Sequence, residues 1–72
     1  MSLVREPNGG RSVFAEAMLA VVSIERRHSV LPLNAEVKRL LGEHPGCMIA
    51  FDELRNYLIR CAVRRRVAIE IG

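Results

Sequence analysis

Aromatic residues are scarce in this sequence. It has no Trp, one Tyr and two Phe, although half of its residues are hydrophobic. That hydrophobic fraction is well above what a disordered chain carries, so we expect a folded protein whose core is built from aliphatic side chains. With 72 residues, the chain has room for one small domain of marginal stability, which a second subunit would reinforce.

Cysteines and long apolar runs are also rare. The two cysteines, Cys47 and Cys61, are too few for the disulfide framework of a small secreted protein. The longest apolar stretch, residues 13–24, contains Glu16 and Ser23 and is shorter than the roughly 20 residues of a membrane-spanning helix. Charged residues follow it where a signal peptide would have its cleavage site. We therefore expect a cytoplasmic protein with no membrane association.

The sequence lacks the residue patterns of common catalytic sites. Gly9 and Gly10 are not followed by the Lys-Ser or Lys-Thr pair of a phosphate-binding loop. Ser12, Ser23 and Ser29 have no neighbouring base that would activate a hydroxyl. No paired carboxylates stand out either. We expect no enzymatic activity, no catalytic residues and no bound cofactor.

Few side chains could offer nitrogen or sulfur to a metal ion; they are His28, His44, Cys47 and Cys61. His44 and Cys47 have a spacing that a zinc site can use, but structural zinc sites combine two closely spaced couples. Cys61 falls instead on the apolar stripe of a predicted helix, as a small core residue does. We expect no metal site, and we expect both histidines to lie on the surface.

Hydrophobic periodicity predicts a mainly α-helical domain over residues 12–72, preceded by a flexible N-terminal arm over residues 1–11. Within the domain we predict three helices, a short β element and a C-terminal strand in the order αα-β-α-β. The helices are predicted at 13–27, 35–41 and 51–65, and the β segments at 48–49 and 67–71.

The predicted helices have recognisable ends. Ser12, Asn34 and Ala50 precede the three apolar patterns as N-caps, and Gly42 ends the second one. Ala50 and Glu53 form an incomplete capping box, which lacks a cap hydroxyl. The apolar sides of the helices give the predicted core: Phe14, Met18, Val21, Leu40, Leu41, Phe51, Leu54 and Leu58.

The last predicted strand alternates apolar and polar residues with a period of two. A strand needs a partner. We expect it to pair with residues 48–49, with the arm around Leu3 and Val4, or with a neighbouring subunit.

The first predicted helix has more apolar residues than one buried face needs. Ala15, Leu19 and Val22 lie on a different side of the helix from its predicted core residues. A second copy of the chain could cover them together with the strand. The predicted oligomer interface comprises Ala15, Leu19, Val22, Val67, Ile69 and Ile71. The principal hypothesis is a small, non-catalytic interaction or regulatory protein that acts as a homodimer, with another protein as a further partner.

The basic residues allow an alternative function. The net charge is only +3, and the third helix has Asp52 and Glu53 in its first turn with arginines toward its end, which complements the helix dipole. Yet Asn and Arg are also the residue types that pair with base edges and phosphates. The candidate nucleic-acid residues are Asn56, Arg60, Arg64, Arg65 and Arg66.

The order helix, short strand, helix from Asn34 through Ala62 resembles the first part of a winged-helix domain. This resemblance covers under half of the chain and implies a DNA-binding regulator that uses the basic end of the third helix. The acidic first turn of that helix is unfavourable next to phosphate, so the two hypotheses stay open.

Overall fold

The computed structural model describes residues 9–71, with side chains from Val13 onward. Its elements are α1 (Gly9–Arg26), β1 (Leu31–Pro32), α2 (Leu33–Glu43), α3 (Phe51–Arg64) and β2 (Ile69–Glu70). The predicted fold class is confirmed: the described part of the chain is mainly helical, with three helices and two short strands. No helix in residues 9–71 is long and apolar enough to cross a membrane.

Two helices begin earlier than predicted. α1 begins at Gly9, so Ser12 lies inside the helix and is not its N-cap, while residues 1–8 of the predicted arm lie outside the described residues. Glycine is acceptable there because the first helical N–H groups have no intrahelical partner. α2 begins directly after Pro32, which is extended, so Asn34 is also inside its helix. Pro32 suits this position because its ring restricts φ and it has no N–H to satisfy.

α3 begins where the sequence predicts. Ala50 is its N-cap, with φ −70° and ψ 151°, and the Ala50 carbonyl accepts a hydrogen bond of 3.1 Å from the Leu54 N–H. The turn before it is closed by the Cys47 N–H, which donates to the His44 carbonyl at 3.0 Å. The predicted strand at 48–49 is wrong: these residues connect the turn to the cap without β pairing, and Met48 is 95% exposed.

The same chain reversal ends α1 and α3. His28 follows α1 in the left-handed region with φ 54°. Its N–H donates to the Glu25 carbonyl at 3.1 Å, and the Ser29 N–H donates to the Ile24 carbonyl at 3.0 Å. These two bonds define a Schellman motif, which satisfies carbonyls at a helix end and redirects the chain.

Arg66 has the equivalent place after α3, with φ 59°. Its N–H donates to the Val63 carbonyl at 3.1 Å, and the Val67 N–H donates to the Ala62 carbonyl at 2.8 Å. Both Ala62 and Val67 are buried, which adds the apolar contact that often accompanies this motif. In both cases the reversal is followed by an extended segment.

The two extended segments pair with each other in parallel. Leu31 is opposite Ile69 and Pro32 is opposite Glu70, and the Leu31 N–H donates to the Ala68 carbonyl at 2.8 Å. β2 therefore pairs with the segment between α1 and α2, and not with residues 48–49 as one alternative expected. The first β element consequently precedes α2. Proline removes one donor from the ladder, which keeps the sheet short.

The core lies between the three helices and is closed by the sheet. Among the predicted core residues, Val21, Leu40, Leu54 and Leu58 are buried, and Phe14, Met18, Leu41 and Phe51 are partly buried against them. The additional buried residues are Val13, Ala17, Ile24, Leu31, Leu33, Val37, Cys61, Ala62 and Val67. On α1 the buried line is Val13, Ala17, Val21 and Ile24, and the larger Phe14 and Met18 lie beside it, partly buried.

The N-cap of α3 gives a stability prediction. Ala50 makes no side-chain hydrogen bond to the helix, and Glu53 is exposed three residues later. Ala50→Ser completes the capping box and should stabilise the fold by about 0.5 to 2 kcal/mol. Urea unfolding measures this change. Ala35→Ser, at an exposed position inside α2, is the control and should give no stabilisation. A neutral or destabilising Ala50→Ser would contradict the assigned cap.

The reversal after α1 gives a second stability prediction. A residue with a side chain is disfavoured in the left-handed conformation of His28, whereas glycine adopts it freely. His28→Gly should therefore stabilise the protein by about 0.5 to 1 kcal/mol, as measured by thermal unfolding. Arg27→Gly, one residue earlier and without a positive φ, should destabilise it. Loss of stability in His28→Gly would show that the His28 side chain has a structural role of its own.

Candidate nucleic-acid interface

A groove of about 680 Å³ lies between the C-terminal halves of α1 and α3. It is lined by Met18, Glu25, Tyr57, Arg60, Cys61, Arg64, Arg65 and Arg66. Two of these residues come from α1, four from α3 and two from the reversal after α3. The groove therefore depends on the packing of two helices that are distant in the sequence.

Helical spacing places the α3 side chains along the groove. Tyr57, Cys61 and Arg64 are separated by four and three residues, so they lie on one side of the helix. The Tyr57 ring packs against Phe14 of α1, with ring centroids 4.6 Å apart at an interplanar angle of 52°. This aromatic contact joins the two helices beside the groove.

The groove is strongly positive. In the part of the chain that the structure describes, its lining has four arginines and one glutamate. Arg65 Nη1 lies 3.4 Å from Glu25 Oε1 across the groove, and this ion pair contributes little because both side chains are partly exposed. Within residues 13–71, Arg60, Arg64 and Arg66 form no ion pair. Their charges are available to an anionic ligand.

Tyr57 adds an uncharged donor to these cations. Burial raises the pKa of Tyr57, the neighbouring Cys61 side chain raises it further, and the positive charge of Arg64 acts in the opposite direction. The phenol therefore stays protonated at neutral pH. It can donate a hydrogen bond to an anion oxygen in the groove.

The structure brings together four of the five predicted nucleic-acid residues, since Arg60, Arg64, Arg65 and Arg66 all line the groove. Asn56 is exposed on α3 one turn before Arg60 but is not part of the lining. Asp52 and Glu53 are exposed at the opposite end of α3. They lie roughly 17 Å along the helix axis from its basic end, at 1.5 Å per residue.

Sequence reasoning missed the contribution of α1 to this site. The sequence pattern predicts Met18 in the core and indicates no function for Glu25, and both residues line the groove. Their spacing of seven residues places them on one side of a helix. That spacing indicates that Met18 and Glu25 share one side of α1, but it does not indicate which helix packs beside that side.

The predicted interface residues are divided by the fold. Ala15 and Leu19 are exposed on α1, Leu19 by 65%, and Val22 is half-buried beside them. Ile71 is also 64% exposed, whereas Val67 lies in the hydrophobic core. Ile69 is half-buried because it belongs to the strand that pairs with β1.

Potential metal ligands meet at one place among the described residues. Glu16, Glu43 and His44 each have a ligand atom within 4.8 Å of the others. Both carboxylates are exposed, and Glu43 Oε2 already lies 3.0 Å from Arg39 Nη1. Cys47 and Cys61 belong to no such group in the part of the chain that the structure describes.

Comparison with protein-family models, curated proteins and solved structures gives no match to this chain. The function is therefore inferred from the geometry of the groove and of the surrounding surface.

The side-chain cluster at Glu16 leads to a prediction about metals. Two exposed carboxylates, one of them already paired with a guanidinium, and a half-buried histidine should not hold a metal ion tightly. Treatment with a chelator should leave the melting temperature unchanged, and purified protein should contain no stoichiometric zinc. A clear fall in melting temperature, or one equivalent of zinc by elemental analysis, would contradict this expectation.

Proposed function

We propose that the protein is a non-catalytic DNA-binding protein, and that the groove between α1 and α3 binds the phosphate backbone of a duplex. The observation that carries this proposal is the convergence of Arg60, Arg64, Arg65 and Arg66 on one groove opposite a single glutamate. Guanidinium groups bind phosphate oxygens with two parallel hydrogen bonds, and this geometry favours phosphate over a simple anion.

Favourable interaction with the dipole of α3 does not require all four arginines to line the groove. The dipole acts within the last turn of a helix. Arg60 lies before that turn, and Arg66 lies beyond the end of α3 in a left-handed conformation that disfavours side chains. Stabilisation of the helix end explains Arg64 and Arg65 more readily than it explains Arg60 and Arg66. The convergence of all four side chains on the groove therefore supports the binding of an anionic ligand there.

The charges of α3 also orient the proposed complex. Phosphate repels the exposed Asp52 and Glu53, so the first turn of α3 should point away from the backbone. The C-terminal half of the helix, with Arg60, then approaches the duplex, and Asn56 is exposed one turn before Arg60. These two residue types can hydrogen-bond base edges if the helix enters the major groove.

The winged-helix resemblance stated for Asn34 through Ala62 loses its strand, because residues 48–49 form none. Residues 9–71 follow the order helix, strand, helix, helix, strand, so a separate third helix is present. A two-stranded wing does not follow α3 within these residues, because β2 pairs with β1 instead. Layout alone assigns no function.

The proposal of a non-catalytic role is supported by the groove lining. Among the residues that the structure describes, the lining contains no histidine, no serine and one carboxylate. Its one thiol, Cys61, therefore has no histidine in this described lining to act as its base, and no pair of carboxylates is present there. Binding requires none of these groups.

Titration of a random duplex at several salt concentrations tests the proposal. Removing two phosphate contacts in Arg60→Ala/Arg64→Ala should weaken binding and reduce the slope of log K against log salt by about 2. The control is Lys38→Ala/Arg39→Ala, which removes the same charge from exposed positions on α2. It should leave the slope nearly unchanged.

Circular dichroism should show unchanged helix content in both double variants. Equal loss of binding in the two variants would indicate an effect of net charge alone. Binding without salt dependence, or no binding of duplex by the unmodified protein, would contradict the proposal.

A further inference from the structure

One arginine of the groove is already paired with an acidic side chain. Arg65 Nη1 lies 3.4 Å from Glu25 Oε1, and both residues line the groove. This ion pair joins the end of α1 to the residue that follows α3. Arg60, Arg64 and Arg66 form no ion pair within residues 13–71. A phosphate would therefore meet a different environment at Arg65 than at the other three arginines.

The place of Glu25 in its own helix is electrostatically unfavourable. Glu25 is the next-to-last residue of α1, where the negative end of the helix dipole disfavours a carboxylate. The ion pair with Arg65 contributes little to stability, because the Arg65 and Glu25 side chains are 38% and 42% exposed. Stability of the protein therefore does not account for a carboxylate at this position.

The Glu25 carboxylate changes how Arg65 interacts with an anion. A phosphate that binds the Arg65 guanidinium has to approach this carboxylate, since the two side chains are 3.4 Å apart. Like charges at such short distances repel each other. The attraction to Arg65 is therefore opposed by the repulsion from Glu25, and the pair as a whole has no net charge with which to attract phosphate.

We infer that Glu25 is a positioning residue that keeps Arg65 from binding phosphate, so that a duplex is bound by Arg60, Arg64 and Arg66. This inference rests on the proposed function, because it concerns the same groove. Phosphate contacts position a duplex and carry no sequence information. Glu25 therefore lowers the affinity for all duplexes by the same factor, which leaves base contacts a larger share of the binding free energy.

Replacement of Glu25 by glutamine tests the inference. Glu25→Gln preserves the shape of the side chain and removes its charge, which frees Arg65 for one more phosphate contact. The slope of log K against log salt should steepen by about 1, and at ~0.1 M salt the duplex dissociation constant should fall about fivefold. Two duplexes of unrelated sequence should gain equally. Unequal gains would indicate a contact between residue 25 and the bases and would overturn the inference.

Glu43→Gln is the matched control. Glu43 also pairs with an arginine at the surface, since Glu43 Oε2 lies 3.0 Å from Arg39 Nη1. Both substitutions remove one negative charge from such a pair, so they change the net charge of the protein equally. Glu43 is absent from the described lining of the groove. Glu43→Gln should therefore leave the salt slope of duplex binding unchanged.

An Arg65→Ala background tests whether Glu25 acts through Arg65. The salt slope is the readout because it counts phosphate contacts. In this background Glu25→Gln has no guanidinium to free, so the salt slope of the double variant should equal that of Arg65→Ala alone. A steeper slope in the double variant would show that Glu25 acts on phosphate without Arg65, and the inference would be wrong.

Thermal unfolding separates this effect from a structural role. Glu25→Gln should change the melting temperature little, because loss of a weak ion pair is offset by relief of an unfavourable dipole interaction. Weaker duplex binding with a lower melting temperature would assign Glu25 a structural role and overturn the inference. An unchanged slope in Glu25→Gln, or an equal effect of Glu43→Gln, would also overturn it. All these results leave the proposed function intact, whereas absence of duplex binding by the unmodified protein would overturn both.

Discussion

The structure depends on one hydrogen-bonded chain reversal that occurs twice. After α1, the Ser29 N–H reaches back to the Ile24 carbonyl, and after α3 the Val67 N–H reaches back to the Ala62 carbonyl. Each reversal requires one residue in the left-handed conformation, and neither residue is glycine. The two extended segments that follow pair in parallel. Leu31 of β1 and Val67, which lies just before β2, both belong to the core, so a thin aliphatic core gains two buried side chains.

The same reversal connects the fold to the proposed function. It places Arg65 and Arg66 beside the arginines of α3, and the packing of α1 against α3 supplies the opposite side of the groove with Glu25. Left-handed residues with side chains are strained, and such strain is often found at functional sites. At Arg66, a position where glycine would be the more stable choice, the chain instead has a cation that lines the groove.

Much of the fold was predictable because its signals are local. The period of α3 and its cap at Ala50 depend on neighbouring residues, and the four arginines of the groove lie within seven positions of one another. The partner of β2 was not predictable in this way, because Pro32 weakens the strand signal of β1 and the pairing joins segments almost forty residues apart. The position of Glu25 in the site was not predictable for the same reason, because only the packing of α1 against α3 places Glu25 there.

Arg66→Gly tests the central claim, that the end of α3 is shaped for a ligand, most directly. Glycine relieves the left-handed strain and also removes one groove cation. The account predicts a variant that is more stable by about 0.5 to 1 kcal/mol and yet binds duplex more weakly, with a salt slope reduced by about 1. Higher stability with unchanged duplex binding would contradict it, since Arg66 would then be a strained residue without a function in the groove.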